Sequence, residues 1–292
     1  MPLASSNSSV ADSAGASPSV DTLTLVVHPP ENEWHWPEYF AEAAGTAWNL
    51  AVGLCAIFFD FSDGWMSHHV PSVSLRLLIT GLIYSGSGSL FAVSPLGKLS
   101  GAHINPSVTL AFWLRKKMSG HDAVGYILFQ YLGAIIAAAI IIPLWGARAT
   151  AVNDGMTFPG NNYNVPIAFA AEVFMTGLLV LTIFVFVSDK RTMRWTPIAV
   201  WLLVAVEVWQ GAPISGTSLN PARSFGPALI AWRWQSQWIY LLSPLCGSVA
   251  AVLVFHFAAA NRRLLSGKMF HSSLYRSIFR HSTAPIAELP IA

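Results

Sequence analysis

Ser100-Gly101-Ala102-His103-Ile104-Asn105-Pro106-Ser107 and Ser215-Gly216-Thr217-Ser218-Leu219-Asn220-Pro221-Ala222 are two copies of one phrase, 115 residues apart from Asn105 to Asn220. In each, Asn followed by Pro is a helix start: the amide caps the free N–H groups, and Pro is tolerated in the first turn. The apolar stretches that follow, about 105–114 and 220–231, are too short to cross a bilayer. Each is therefore expected to be a re-entrant half-helix. A lone Asn-Pro would signal a turn or cap and nothing more. Two copies of Ser-Gly-x-x-apolar-Asn-Pro-small in corresponding places indicate an internal repeat.

The surrounding chain agrees. Of 292 residues only 10% are charged, against 54% hydrophobic. Such a surface cannot be covered in water, so the chain reads as an integral membrane protein. The formal net charge of +2 argues against a nucleic-acid partner. Cys55 and Cys246 lie in apolar stretches, which excludes a disulfide framework or a CxxC site. No second His, Cys or carboxylate stands at ligand spacing from His103, so neither a metal nor a cofactor is expected. Residues 1–35, rich in Ser and Ala, read as a disordered tail with no signal-peptide pattern and with a weak sequon at Asn7-Ser8-Ser9.

Six stretches are long and apolar enough to span: about 37–60, 74–94, 122–145, 165–188, 195–212 and 236–259. With the half-helices they divide into repeats at about 36–146 and 164–260, each of three spans and one half-helix. An odd number of spans per repeat forces the two into opposite orientations. The expected fold is an all-α membrane protein with six transmembrane helices, two re-entrant half-helices and inverted-repeat symmetry. With the N-terminus inside, twelve Lys and Arg fall on inner segments. Only Arg76, Arg148, Arg223 and Arg233 fall on outer ones. This bias places both termini in the cytoplasm. The basic tail 261–292 carries apolar residues between its charges, and over 262–281 it reads as a helix lying on the inner leaflet.

In this topology both half-helix N-termini meet near the midplane, each bringing about +0.5 of an elementary charge. Cations and protons are repelled there, while the asparagine amides offer donors to a neutral polar molecule. Glu42 and Glu172 occupy related places in the first and fourth spans. They are either proton-relay carboxylates or structural acceptors for the broken half-helices. Glu207 has no repeat partner, and its role stays open. No Ser/His/Asp, Cys/His or metal set faces the expected pore, so an enzyme is not expected. A channel, a secondary transporter and a structural membrane protein all remain compatible with an inverted repeat of broken helices.

Over about residues 36–260 the sequence resembles the aquaporin (major intrinsic protein) family. The resemblance rests on Ala41-Glu42-x-x-Gly45-Thr46, Ser100 to Thr109, Gln130-x-x-Gly133-Ala134, Glu172 with Thr176, and Asn220-Pro221-Ala222-Arg223-Ser224-Phe225-Gly226. It implies a homotetramer in the plasma or inner membrane, with one pore per subunit passing water or small neutral solutes passively. It makes Asn105, Pro106, Ser107, Asn220, Pro221 and Ala222 the pore signatures, with Ser107 where Ala is usual. It makes Arg223, Val208, Thr217 and Ser85 the selectivity filter; a shift of one residue would put Tyr84 or Gly86 in the last place. Water-strict relatives usually carry an aromatic and a His at the Ser85 and Val208 positions. Glycerol-passing relatives usually carry Asp where Ser224 stands. The resemblance thus implies water passage, with ammonia, hydrogen peroxide and urea as further candidates and glycerol as the alternative.

Overall fold

The computed structural model describes residues 33–259, 262–272 and 274–280. The N-terminal tail up to residue 32, with its sequon, lies outside them. Eleven α-helices and no strands occur among the described residues. They are α1 (Trp36–Phe61), α2 (Trp65–His69), α3 (Val73–Val93), α4 (Pro95–Ser100), α5 (Pro106–Leu114), α6 (Gly120–Trp145), α7 (Ala147–Ala151), α8 (Val165–Val187), α9 (Thr196–Ser215), α10 (Pro221–Ile230) and α11 (Gln237–Ala258). Six of these (α1, α3, α6, α8, α9 and α11) are long and apolar enough to cross a membrane. Helices α5 and α10 are the two half-helices.

The repeat is visible in the packing. α1 lies against α6 as α8 lies against α11, and α3 pairs with α9 between the halves. Each half-helix packs on the last span of the other repeat, α5 on α11 and α10 on α6. Close approach sets the sequence at the crossings. A Cβ on Gly133 would stand 2.2 Å from the Ala43 carbonyl oxygen, and one on Gly247 would stand 2.5 Å from that of Val173. Glycine at these repeat-related sites lets the backbones meet, as tightly packed membrane helices require. Large apolar side chains such as Phe40, Leu128, Leu144, Phe174 and Phe257 point outward and are exposed. That is the arrangement expected where the surrounding solvent is lipid rather than water.

One expectation is corrected. The described part of 262–280 forms no helix. It is an irregular strap folded against the face of the bundle where α1 begins and α11 ends, here the terminal face. Leu264, Met269, Ile278 and Phe279 are buried in the protein core rather than turned to a lipid surface. Gly267 breaks the run, and Phe279 packs so closely that a Cβ on Gly267 would stand 2.4 Å from its ring.

Candidate functional site

Asn105 and Asn220 are the N-caps of α5 and α10. The Oδ1 of Asn105 accepts from the Ser107 amide at 2.8 Å. That of Asn220 accepts from the amides of Ala222 at 3.0 Å and Arg223 at 3.3 Å. The side-chain amides then cross between the repeats. Asn105 Nδ2 donates to the Leu219 carbonyl at 2.8 Å, and Asn220 Nδ2 donates to that of Ile104 at 2.9 Å. A side-chain amide has two N–H groups. One on each asparagine is thus committed to the opposite loop, and both residues also line the central cavity.

The loops that deliver these asparagines share one unusual backbone path. Gly101, Ala102 and Ile104 have φ of 89°, 55° and 43°; Gly216, Thr217 and Leu219 have 84°, 47° and 57°. Left-handed non-glycine residues are costly and persist only where surrounding contacts fix them. Two buried carboxylates do so. Glu42 accepts from Ser100 Oγ at 2.7 Å, from the His103 and Ile104 amides at 3.0 and 2.6 Å, and from Gln130 Nε2 at 2.7 Å. Glu172 accepts from Ser215 Oγ at 2.7 Å and from the Ser218 and Leu219 amides, both at 2.8 Å. Tyr126 and Tyr240 complete the pattern, each donating at 2.6 Å to the carbonyl of the loop serine, Ser100 and Ser215 respectively. Of the two readings of the glutamates, this geometry matches the structural one: each accepts from two backbone amides and one serine hydroxyl of the loop that leads into a half-helix.

Two cavities lie along one path. The central one, about 80 Å³, is lined on one side by Asn105, Asn220, His103 and Ile104 and on the other by Val200 and Val204. The second, about 410 Å³, opens toward the face opposite the termini and is lined by Val208, Thr217, Arg223, Gly155 and Met156. Tyr84 lines both cavities and so stands at their junction. Arg223 is 7% exposed, and its Nη1 donates to the Gly155 carbonyl at 2.8 Å. Buried cations need such acceptors. Thr217 Oγ1 donates to the Glu207 carbonyl at 3.2 Å.

The structure brings Arg223, Val208 and Thr217 together in the outer cavity but not Ser85. That serine borders the central cavity only, and its hydroxyl is directed to the carbonyls of Gly81 at 2.6 Å and Trp201 at 2.9 Å. Its neighbour Tyr84 lines the outer cavity together with Arg223. Pro106, Ser107, Pro221 and Ala222 are buried behind the asparagines. The Ser107 carbonyl accepts from Ser248 Oγ at 2.8 Å. Ser107 borders neither cavity. Glu207 borders neither cavity; its carboxylate is buried with no hydrogen-bond partner on either oxygen among the described residues. His103 is tied on both nitrogens, to Thr109 Oγ1 at 3.2 Å and to the Gly267 carbonyl at 2.8 Å. No group of three or more His, Cys, Asp or Glu side chains able to hold a metal occurs among the described residues.

Two half-helices meeting inside a six-span inverted repeat, with a polar path between them, define a membrane channel of the re-entrant type. The family model for the major intrinsic proteins matches residues 32–255, and the chain belongs to that family of channels, whose members are not enzymes. Aquaporin AqpM of Methanothermobacter marburgensis is 38% identical over 225 residues, covering 71% of this chain and 90% of the relative. Aquaporin-6 of Rattus norvegicus is 36% identical over 210 residues, covering 71% and 73%. Among solved structures, the aquaglyceroporin from Plasmodium falciparum superposes with a TM-score of 0.67 at 20% identity, covering 77% of this chain and 97% of the other, a likeness of fold.

Proposed function

We propose that this protein is a passive water channel that also admits small neutral solutes such as ammonia, hydrogen peroxide and urea, and excludes protons and ions. The observation that carries the solute range is the wall of the outer constriction. There Val208 and Thr217 stand beside Arg223 and Tyr84, with no imidazole. Selection in such pores rests on diameter and on the donors of the wall. Val208 supplies neither the bulk nor the donor that a histidine would, so the Arg223 guanidinium is the principal donor of the filter. Tyr84 narrows the opposite side, which favours flat or small solutes over a three-carbon polyol.

Charge exclusion follows from the asparagine pair. The remaining N–H of each amide and the positive ends of α5 and α10 act on a molecule in the central cavity. A water there presents its oxygen to the amides and its hydrogens away, so the hydrogen-bonded file reverses polarity and proton hopping is hindered. Arg223 adds a second positive barrier. Glycerol is the alternative cargo. Against it, Ser224 is buried and its hydroxyl is taken up by Thr157 Oγ1 at 2.7 Å and Ser218 Oγ at 2.6 Å, so it offers no acceptor to the path. The excess of basic residues on the terminal face supports cytoplasmic termini in a plasma or inner membrane. The broad apolar exterior suits lipid and three further copies of the chain in a tetramer. Stopped-flow light scattering on proteoliposomes, comparing water, urea and glycerol, tests the reading. Exclusion of urea, ammonia and peroxide alongside fast water flux would reduce it to a strict water channel. Saturable or ion-coupled flux would replace it with a transporter.

A further inference from the structure

The strap 264–280 does more than cover the terminal face. Met269 reaches the central cavity and forms part of its wall with Asn105 and Asn220. Its backbone amide donates to the Gly101 carbonyl at 2.9 Å, in the loop that leads to Asn105. The Gly267 carbonyl meets His103 Nε2, and the Phe279 ring packs 5.2 Å from the His103 ring and 6.1 Å from that of Tyr126. Strap atoms therefore occupy the route by which the central cavity would open to the terminal face.

The attachments are polar as well as apolar. Lys268 is 1% exposed, and its Nζ donates to the carbonyls of Lys98 at 2.6 Å and Arg276 at 2.8 Å. Arg276 in turn holds Glu38 at the start of α1 through two hydrogen bonds, 2.8 Å from Nε and 2.9 Å from Nη2. The Arg280 amide donates to the Lys117 carbonyl, and Lys117 Nζ donates to that of Arg280. An irregular segment held this way lacks the internal hydrogen bonds of a helix, and it buries a lysine whose desolvation is costly. Its docking free energy is the difference between those opposing contributions, which suits a reversible attachment better than a permanent wall.

We propose that residues 264–272 and 274–280 form an autoinhibitory plug: docked as here, they close the terminal mouth of the pore with Met269, and the channel conducts when they leave. This rests on the channel reading above. The plug is anchored at Glu38, Lys98, Gly101, His103 and Lys117, so it clamps the first half-helix and its loop while leaving the second repeat's filter untouched. Release changes the rate of permeation without changing which solutes pass.

The test compares osmotic water permeability of proteoliposomes at equal protein content. The chains are the full chain, Arg276→Glu, the charge-swapped double variant Glu38→Arg with Arg276→Glu, and a chain ending at Arg263. Trypsin cleavage after Lys268 reports docking in parallel. The expected result is low permeability and resistance at Lys268 in the full chain. Several-fold higher permeability should accompany rapid cleavage in Arg276→Glu, with partial return of both in the charge swap. The shortened chain should conduct at least as well as Arg276→Glu, with an unchanged ratio of urea to water flux. Equal, fast water flux in all four chains overturns the plug and leaves the channel standing. No flux above empty vesicles in any of them overturns both. If the shortened chain does not fold, the three full-length chains decide the matter by the same criteria.

Discussion

Asn105 and Asn220 each donate a side-chain N–H to the carbonyl of the residue preceding the other, at 2.8 and 2.9 Å. The two halves of the chain are thereby joined at the point where the two half-helices meet. Each amide closes its own helix with Oδ1, bridges to the other loop with one N–H, and keeps one N–H for the cavity. Replacing either by Asp removes the donor and places an anion between two positive helix ends. Asn105→Asp and Asn220→Asp should lower stability by about 1–3 kcal/mol through the unsatisfied carbonyl and weaken charge exclusion. Thermal unfolding and ion-leak measurements on proteoliposomes check this. Unchanged stability together with unchanged exclusion would count against the central barrier.

Arg223 should matter for leak more than for water. In Arg223→Val, which installs the residue found at Val108 of the first repeat, the fixed cation beside Gly155 is lost and the constriction widens. Proton or small-cation leak should rise while water flux persists. A pH-sensitive dye trapped in vesicles reads the leak, and no rise would place the guanidinium outside the barrier.

Val208→His restores bulk and a donor to the outer constriction. Urea permeation should fall at least several-fold with water flux largely kept. Equal loss of both would mean that the side chain blocks the path rather than sorting solutes.

The loops depend on their glutamates. In Glu172→Gln the charge is lost, and one oxygen with two acceptor sites becomes an NH₂ group that cannot accept from the Leu219 amide. A destabilisation of about 2–4 kcal/mol is expected from one lost charge-assisted bond and one unpaired amide. If the thermal midpoint in detergent does not move, the left-handed loop has another support.

The plug should respond to pH. Burial brings Lys268 down to about 8, against the attraction of Glu38. Burial, with repulsion from Arg115 and Arg263, brings Lys117 down to about 8. His271 is lowered from 6.5 by burial and by Lys268. Arg276, which also faces Lys268, stays charged throughout. Lys268 and His271, which leave with the strap, thus have a lower pKa docked than free, so the docked state binds fewer protons at them and docking strengthens as pH rises. The His271 contribution is present above about 6.5 and is lost as pH falls through its lowered docked value. Lys268 adds to docking from about 8 toward 10.5. Water permeability of the full chain should therefore be higher at pH 5 than at pH 8, with no such trend in the chain ending at Arg263. The opposite trend would rule out this linkage.

The half-helices, the inverted repeat and the glutamate pair were legible because each is written in local chemistry. Asn-Pro caps a helix wherever it falls, and a carboxylate inside a membrane segment needs donors that broken helices can provide. Which residue of α3 lines the outer cavity beside Arg223 was not legible. Counting back from Asn105 fixes the turn of the helix but not its rotation. α9 packs on that face of α3, its Trp201 carbonyl taking the Ser85 hydroxyl; Ser85 borders the central cavity alone, whereas Tyr84 also borders the outer one. The strap was hidden for a different reason. Apolar residues spaced among basic ones look the same whether they meet lipid or a vestibule, and only the turn signal at Ser266-Gly267 hinted at a broken segment. Glu207 gave no sign of the burial it has, since its neighbours on α9 are those of any membrane span.

A passive, charge-excluding pore between Asn105 and Asn220 must carry water in proportion to the osmotic gradient and hold back protons. The osmotic shrinkage rate of proteoliposomes carrying the chain that ends at Arg263 is recorded over a range of gradients, with internal pH followed in the same vesicles. Shrinkage well above that of empty vesicles, proportional to the gradient at every value and without added proton leak, is the expected result. A rate that saturates, that needs an ion gradient, or that never exceeds empty vesicles would contradict it.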